Sequence, residues 1–330
     1  MKKRSLITAV SLLFTLVILV TCSLAEPAAN VKDSYKIGIS LRWATHPFVT
    51  SVRMGIQDCA KEWENKLGVT IETIVTNGDD NDPQQQVRDL EDLSIQEVDA
   101  VAIFPGDSKG IVPTIEQEYY ARNVPVVITD IGVDTDKYTS WVCPDYYACG
   151  AVGGEAMAKA VEQGGKIAVF NHNPGAQNCQ ERCQGFYDKC KELGLEPLDI
   201  QIIDGQSPED GKKALEDAMT ANPDLAGVFV GSMHYNQGFI SAKKEANNDK
   251  VVIVCFDLDA TSLEEVRSGD VAAAVVNDPY GIGYEGMNQM MYALTGQTDK
   301  IQKRVTPQPR LLTMDNASEF ENDPQVKLTQ

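Results

Sequence analysis

The stretch Val251–Phe256, with the sequence VVIVCF followed directly by Asp257, decides the fold class of this chain. Every residue in it is apolar, and most are β-branched. Such a run is typical of a strand covered on both faces, because a half-exposed strand would alternate apolar and polar residues. Helices that connect parallel strands cover a sheet in this way. The run therefore predicts an interior strand of a parallel sheet in an α/β protein.

Short apolar runs alternate with amphipathic stretches along most of the chain. The predicted helices include Pro47–Lys66, Pro83–Gln96 and Ile111–Arg122. About ten strands are too many for one comfortable doubly wound sheet. We therefore expect two doubly wound parallel-sheet lobes joined by a hinge. The predicted strands are Lys36–Ser40, Thr70–Val75, Ala100–Phe104, Pro125–Thr129, Ser140–Cys143, Lys166–Phe170, Ile200–Ile203, Gly227–Val230, Val251–Phe256 and Ala272–Val276.

The first 25 residues have the pattern of an export signal. A basic segment, Lys2–Arg4, precedes the apolar segment Leu6–Val20, which is too short for a membrane span. Small residues up to Ala25 then supply a cleavage site, and we expect cleavage after Ala25. The alternative is a lipoprotein anchored through Cys22, which the preceding threonine fits poorly. Either way we expect a periplasmic or extracellular protein.

Charge and cysteine content exclude several classes of function. The chain of 330 residues has 48 acidic and 29 basic residues, a formal net charge of −19. Such a surface repels nucleic acid, and we expect no nucleic-acid partner. Of eight cysteines, an odd number remains once Cys22 is set aside, so at least one is outside an intramolecular disulfide. Their spacing does not match a zinc site. We expect the cysteines to be buried thiols, of which two could form one disulfide. We expect no metal and no cofactor.

Polar side chains stand just after several predicted strands, where open parallel sheets bind their ligands. Carboxylates there can accept hydrogen bonds from vicinal hydroxyls, an arginine can donate to them, and aromatic rings can cover C–H faces. This mixture favours a small neutral sugar or polyol. The strand-end residues are Leu41-Arg42-Trp43, Pro105-Gly106-Asp107, Asp130, Asn171-His172-Asn173, Gly231-Ser232-Met233-His234, Asp257-Leu258-Asp259 and Asn277-Asp278, with Phe48, Tyr146 and Tyr235 close by.

Several fragments carry a resemblance to a known family. They are Ile37–Ser40 with Pro47-Phe48, Asn123–Asp130, Gln180–Phe186, Val254–Asp257 and Asn277–Pro279. In this order, behind an export signal, the chain resembles the type I periplasmic substrate-binding proteins of ABC transporters, in the branch of ribose- and galactose-binding proteins. The resemblance covers nearly all of the mature chain. It implies a monomer, not an enzyme, that captures a monosaccharide-like ligand in an interlobe cleft and delivers it to an ABC permease.

Carried over by position, the resemblance implies ligand contacts by Phe48, Asp130, Arg182, Asp257 and Asn277. Four departures keep the identity of the sugar or polyol open. They are His46 where Asn is frequent, Ile131 where Arg is common, Tyr146 where Asn is frequent, and Ser232–His234 where Asn-Asp is expected. The full candidate ligand-binding set is Arg42, Trp43, Phe48, Asp130, Tyr146, Arg182, Ser232, Asp257 and Asn277. The expected lobes are 34–144 plus 278–305 and 145–277 plus 306–330.

Three other interpretations stay open at this point. A sugar or polyol sensor that partners a membrane receptor would share every residue named above. The segment Gly106–Gly110 matches a nucleophile elbow, so an exported serine hydrolase could use Ser108 with His234 and Asp130. The competing interpretation makes Ser108 part of a turn that caps the next helix. Finally, Gly281–Gly286 matches the dinucleotide fingerprint, which we interpret as a helix start packed near a sheet.

Overall fold

The computed structural model describes residues 31–42, 46–79, 82–205 and 207–330. The export signal predicted for residues 1–25 and the candidate Trp43 lie outside the described residues. The strands are β1 (Ser34–Leu41), β2 (Thr70–Asn77), β3 (Ala100–Phe104), β4 (Val126–Thr129), β5 (Ser140–Val142), β6 (Lys166–Asn171), β7 (Glu196–Pro197), β8 (Gln201–Ile202), β9 (Leu225–Val230), β10 (Val252–Phe256), β11 (Ala273–Val276), β12 (Arg304–Val305) and β13 (Arg310–Thr313). The α-helices are α1 (Pro47–Leu67), α2 (Pro83–Ile95), α3 (Val112–Thr114), α4 (Tyr146–Ala160), α5 (Gln177–Glu192), α6 (Pro208–Ala221), α7 (Asn236–Glu245), α8 (Ala260–Ser268), α9 (Pro279–Leu294) and α10 (Pro324–Leu328).

Two separate sheets organise the described residues, as the number of predicted strands indicated. The first has the order β12-β5-β4-β3-β1-β2, and all of its pairings are parallel. The second has the order β13-β11-β10-β9-β6-β7, with β8 also beside β6, and only β13 runs antiparallel. The predicted fold class, two doubly wound α/β lobes, is confirmed.

The continuous apolar runs form interior strands. Strand β10 lies between β9 and β11, and Ile253–Phe256 are at most 1% exposed. In the first sheet every residue of β3 is buried. Helices cover both faces of each sheet, so no position along these strands needs a polar side chain.

The described chain passes between the two sheets three times. It leaves the first sheet after β5, since the next helix, α4, packs on β10 and β11 of the second sheet. It returns after β11, because α9 packs on β4 and β5. It leaves again after β12, because β13 pairs with β11. The carboxyl ends of β5 and β11 therefore lie where the two halves of the molecule meet.

Two predicted elements differ in the structure. The helix predicted for Ile111–Arg122 is divided into the short α3, a wider π-helical turn at Ile115–Tyr119 and a 3₁₀ turn. Tyr119 is buried there, and its hydroxyl donates to the carbonyl of Leu90 in α2. The predicted strand Ile200–Ile203 is reduced to β8, whose residues are exposed beside the end of β6.

Glycines allow α1 and α9 to meet backbone to backbone. A Cβ atom on Gly283 would lie 1.9 Å from the carbonyl oxygen of Val52, and one on Gly55 would lie 2.0 Å from that of Tyr280. No larger residue fits either position without moving a helix. The glycine-rich segment Gly281–Gly286 thus serves chiefly the contact between two helices. Packing near a sheet, which the sequence predicted for this segment, is seen at Gly286, which faces side chains of β4.

The same arrangement recurs between α4 and α5. A Cβ atom on Gly185 would lie 2.0 Å from the carbonyl oxygen of Tyr147, and one on Gly150 would lie 2.0 Å from that of Arg182. The contact fixes the position of Arg182 relative to the start of α4. Within the described ranges, no helix is both long and apolar enough to cross a membrane.

Candidate functional site

Two aspartates occupy equivalent positions in the two sheets. Asp130 follows β4 and Asp257 follows β10, and both have left-handed backbone conformations, with φ of 62° and 72°. Their N–H groups donate to carbonyls of the neighbouring strands, Asp130 to Val142 at 2.8 Å and Asp257 to Val275 at 2.9 Å. A positive φ is uncommon outside glycine and is concentrated at functional sites. Each sheet therefore presents one of these two carboxylates at its carboxyl edge.

Arg182 lies beside the second of these carboxylates. It projects from α5, is only 7% exposed, and its Nη1 donates to the carbonyl of Gly231 at 3.0 Å. The same nitrogen lies 3.9 Å from Oδ2 of Asp257. Its guanidinium carbon lies 4.5 Å from the ring centre of Phe256 and 5.1 Å from that of Tyr146. The cation is thus held in one orientation between two rings.

Tyr146 connects this cluster with the first sheet. It is the first residue of α4, and its hydroxyl donates to Oδ1 of Asp130 at 2.5 Å. Burial raises the pKa of the Asp130 carboxyl, while Tyr146 and the charge of Arg182 oppose that rise. Burial also raises the pKa of the Tyr146 phenol well above its ordinary value, so it stays a proton donor. The bond therefore joins a second-sheet helix to a first-sheet strand end.

Two further candidates, Ser232 and Asn277, are buried on the second-sheet side. Ser232 is 3% exposed, and its Oγ lies 2.7 Å from Nδ1 of His234. Asn277 is 2% exposed, accepts from the thiol of Cys149 at 3.6 Å, and has no partner for its buried Nδ2. The structure therefore gathers Asp130, Tyr146, Arg182 and Asp257 into one cluster, with Ser232 directly after Gly231.

Arg42 and Phe48 lie on the first-sheet side. Phe48 packs edge to face with Phe104, with 6.2 Å between the ring centres. The charge of Arg42 is close enough to Asp130 to help lower the pKa of that carboxyl. Both side chains are partly exposed. Arg42 and Phe48 are therefore positioned to form the first-lobe wall of a cleft between the lobes.

Asp259, and not Asp257, caps the helix that follows β10. Its Oδ1 accepts from the N–H of Ser262 at 2.6 Å, and the Ser262 hydroxyl accepts from the N–H of Asp259 at 2.8 Å. Because Asp259 fills that role, the carboxylate of Asp257 is left to face Arg182.

Sequence reasoning missed two side chains near the site. Gln86 in α2 is 3% exposed, and it donates to the carbonyl of Phe104 at 2.8 Å and accepts from the N–H of Gly106 at 2.8 Å. It braces the end of β3, and its position inside a helix gave no signal. His172, noted only as a strand-end residue, lies 3.6 Å from the thiol of Cys179. Burial and then the charge of Arg182 lower its pKa, so the imidazole is neutral at pH 7.

Comparison with known proteins decides the family. A family model described as a periplasmic binding protein domain matches residues 37–298, most of the chain. The chain belongs to the periplasmic binding protein family. This confirms the resemblance found in the sequence.

Several periplasmic binding proteins are similar over nearly their whole length. The ribose import binding protein of Bacillus subtilis is 28% identical over 317 residues, which cover 92% of this chain and 98% of the relative. The crystal structure of a periplasmic ribose ABC transporter protein from Conexibacter woesei matches with a TM-score of 0.79 at 21% identity, covering 90% and 97% of the two chains. A carbohydrate transporter solute-binding protein from Agrobacterium radiobacter, in complex with D-arabinose, matches with a TM-score of 0.64 at 26% identity, covering 90% and 98%.

Ser108, in the segment Gly106–Gly110 that resembles a nucleophile elbow, has a structural role in this periplasmic binding protein. The hydroxyl of Ser108 donates to the carbonyl of Gly132 at 2.7 Å, and the imidazole of His234 is paired with Ser232. A serine nucleophile needs a base within hydrogen-bond reach, and His234 is engaged elsewhere. The expected helix cap is also wrong, because Ile111 precedes α3 and makes no side-chain capping bond. Ser108 instead ties two loops of the first sheet together.

The cysteines of this periplasmic binding protein behave as apolar side chains. The seven within the described ranges are all buried, and none forms a disulfide. Burial raises the pKa of several thiols, that of Cys183 to about 12, which makes them poor nucleophiles. In the same part of the chain, no group of three or more His, Cys, Asp or Glu side chains could hold a metal ion.

Proposed function

We propose that this periplasmic binding protein captures a monosaccharide-like sugar or polyol in the cleft between its two lobes and delivers it to an ABC permease. The observation that carries the proposal is that Asp130 and Asp257, one from each sheet, both lie close enough to the buried Arg182 to interact with its charge. Support also comes from the ribose import binding protein and the D-arabinose complex to which the chain is similar.

The charges of the cluster favour a neutral ligand. The carboxylates of Asp130 and Asp257 are balanced by the guanidinium groups of Arg182 and Arg42, so the ligand need bring no charge. Ionised carboxylates accept from adjacent hydroxyls, and arginine donates to hydroxyl oxygens. The rings of Phe48 and Tyr146 supply flat faces for the C–H side of a sugar. Asn277 and Ser232 complete the proposed set, to which Trp43 belongs by its position in the sequence.

The lobe boundaries that go with this function are 34–144 plus 278–305 and 145–277 plus 306–330. They are supported by the three passages of the chain between the sheets, which fall at these points. Few residues need to change conformation at such crossovers when two lobes close on a ligand. Closure would present the permease with a surface that the open protein lacks.

Export and assembly complete the proposal. We assign residues 1–25 to a signal peptide cleaved after Ala25, with a lipid anchor on Cys22 as the alternative. The mature protein would act as a monomer, without a cofactor and without catalysis. Mass spectrometry of the protein purified from its native host distinguishes cleavage after Ala25 from lipidation of Cys22, because only the second adds acyl chains.

A thermal-shift screen of pentoses, hexoses and polyols tests the function. A ligand present at about 100 times its Kd stabilises the protein by about 2.7 kcal/mol. We expect at least one sugar or polyol to raise the melting temperature. If no compound of either class does so, the proposed function is wrong.

Two neighbouring aspartates then provide a matched pair for calorimetry. Asp257→Asn should weaken binding about tenfold or more, because a hydrogen bond to a charged group contributes about 1.5–3 kcal/mol and 1.4 kcal/mol is a factor of ten. Asp259→Asn should leave the affinity unchanged, since asparagine caps a helix as well as aspartate does. Equal affinities for both variants would show that Asp257 does not contact the ligand.

A further inference from the structure

A cavity of about 710 Å³ lies beside the charged cluster. We call it the side cavity. Its walls are the loop Ile131–Asp134 and Trp141 on the first-sheet side, and the start of α5, Ala176–Asn178, on the second. Its volume is within the range of about 300–1,000 Å³ that is typical of small-molecule sites. Asp130 and Tyr146 line it too, so it is continuous with the cluster.

The local sequence explains why this space is open. Position 131 carries isoleucine, whose short side chain does not cross the cavity. A Cβ atom on Gly132 would lie 2.9 Å from the ring of Trp141, so only glycine lets the indole lie against the backbone there. The indole Nε1 donates to the carbonyl of Asp130 at 3.1 Å, which fixes the ring. The result is a fixed indole next to a carboxylate, with the guanidinium carbon of Arg304 4.9 Å from its ring centre.

The lining suits a polar but uncharged occupant. Lys109 and Arg304 contribute positive charge, and Asp134, Glu181 and the shared Asp130 contribute acidic groups. Gln177 and Asn178 contribute amide groups on the second-sheet side, where the amide of Gln177 donates to Glu181 at 2.6 Å. A charged substituent would meet like charges on one wall or the other, whereas hydroxyl groups can donate to the acids and accept from the bases and amides. Aromatic and polar walls together are typical of carbohydrate contacts.

We infer that the side cavity is a second subsite of the ligand cleft, which takes a second sugar ring or another neutral glycosidic substituent. The inference rests on the proposed function and extends its ligand from a single sugar unit to one that carries a second unit. The hydrogen-bonded pair of Tyr146 and Asp130 borders both the charged cluster and the side cavity, so a unit attached to a ring beside Asp130 would enter the side cavity where that pair opens. The preferred ligand is therefore a disaccharide or glycoside whose terminal unit is recognised by the charged cluster.

Calorimetry on matched pairs of ligands tests the subsite. The probes are D-xylose with xylobiose, D-glucose with cellobiose and maltose, D-galactose with melibiose, and D-ribose with its methyl glycosides. For the sugar that binds, the extended partner should bind about tenfold or more tightly, because its second unit leaves water for the aromatic wall. Equal or weaker binding of every extended partner would overturn the inference.

A variant that fills the side cavity separates the two subsites. Ala176 is half-buried on the cavity wall and lies outside the charged cluster, so Ala176→Trp should abolish the advantage of the extended ligand. The affinity for the monosaccharide should stay within about twofold, because its contacts are unchanged. Ala221→Trp, at the exposed end of α6, is the control and should change neither affinity.

The outcomes distinguish the two proposals. If monosaccharides bind and Ala176→Trp leaves the extended ligand as tight as before, the second subsite is wrong and the proposed function stands. If no carbohydrate of either length binds, the proposed function fails, and the subsite inference fails with it.

Discussion

Replacing Arg182 with methionine should lower both the free energy of unfolding and the affinity for the sugar. Methionine keeps an unbranched stem between Phe256 and Tyr146 but removes the guanidinium. The hydrogen bond to the Gly231 carbonyl is charge-assisted and is worth about 1.5–3 kcal/mol. Each cation–ring contact adds about 0.5–2 kcal/mol. Because these contributions share one group and are not additive, we expect a total loss of about 3 kcal/mol in unfolding free energy.

Electrostatics adds a second effect of the same substitution. The charge of Arg182 helps keep Asp130 ionised against the burial that raises the pKa of its carboxyl. Without that charge, the pKa of Asp130 should rise further, and Asp257 loses the cation 3.9 Å away. Both losses weaken acceptors for ligand hydroxyls. The dissociation constant should therefore increase by about a hundredfold or more, since each 1.4 kcal/mol is a factor of ten.

Urea unfolding and calorimetry at pH 7 measure the two effects separately. Arg182→Lys is the control, because lysine keeps the charge but lacks the planar fork, and it should recover part of both losses. A variant Arg182→Met that unfolds more easily yet binds the sugar as tightly as the wild type would refute the reasoning. Arg182 would then only stabilise the second lobe.

Two more predictions concern pH and helix packing. The pKa of Asp130 is raised above its ordinary value of 3.8, so sugar affinity should fall as the pH is lowered through that raised pKa. The contribution of Asp130 to the free energy of unfolding changes with pH in the opposite direction. The folded state holds the proton of Asp130 more tightly than the unfolded state does, so this free energy falls as the pH rises from 3.8 towards the raised pKa. Asp130→Asn should remove both pH dependences in calorimetric and unfolding titrations. Gly185→Ala should cost about 1–3 kcal/mol of stability and weaken sugar binding, because its Cβ would lie 2.0 Å from the Tyr147 carbonyl and shift α5. Gly286→Ala, where the nearest atoms are 3.5 Å away, should not destabilise in the same urea titration, and equal losses in the two variants would contradict the packing argument.

The sequence was sufficient for the features that depend on local pattern. The apolar run at Val251–Phe256 predicts an interior strand because a strand covered on both faces has no polar positions. Asp130 and Asp257 could each be placed at the carboxyl edge of a sheet, because open parallel sheets bind their ligands beyond the carboxyl ends of their strands. The family resemblance then identified Arg182, which lies in a helix and follows no strand.

Pairings between distant residues could not be predicted. The bond from Tyr146 to Asp130 joins residues from different lobes, and no period or motif encodes it. Gln86 braces β3 from inside a helix that looks ordinary in the sequence. That Asp259 and not Asp257 caps the helix after β10 depends on where that helix begins to within one or two residues, which sequence patterns do not resolve.

The left-handed backbone at Asp130 and Asp257 restricts how this cleft can be redesigned as a biosensor. Asparagine and glycine accept such a conformation with little strain, whereas most other residues do so at a cost of about 1 kcal/mol or more. An alanine scan would therefore confuse backbone strain with lost ligand contacts at both positions. A library should vary these two residues only among aspartate, asparagine and glycine and should randomise neighbouring positions instead. Such a library would change the ligand selectivity without changing the backbone of the cleft.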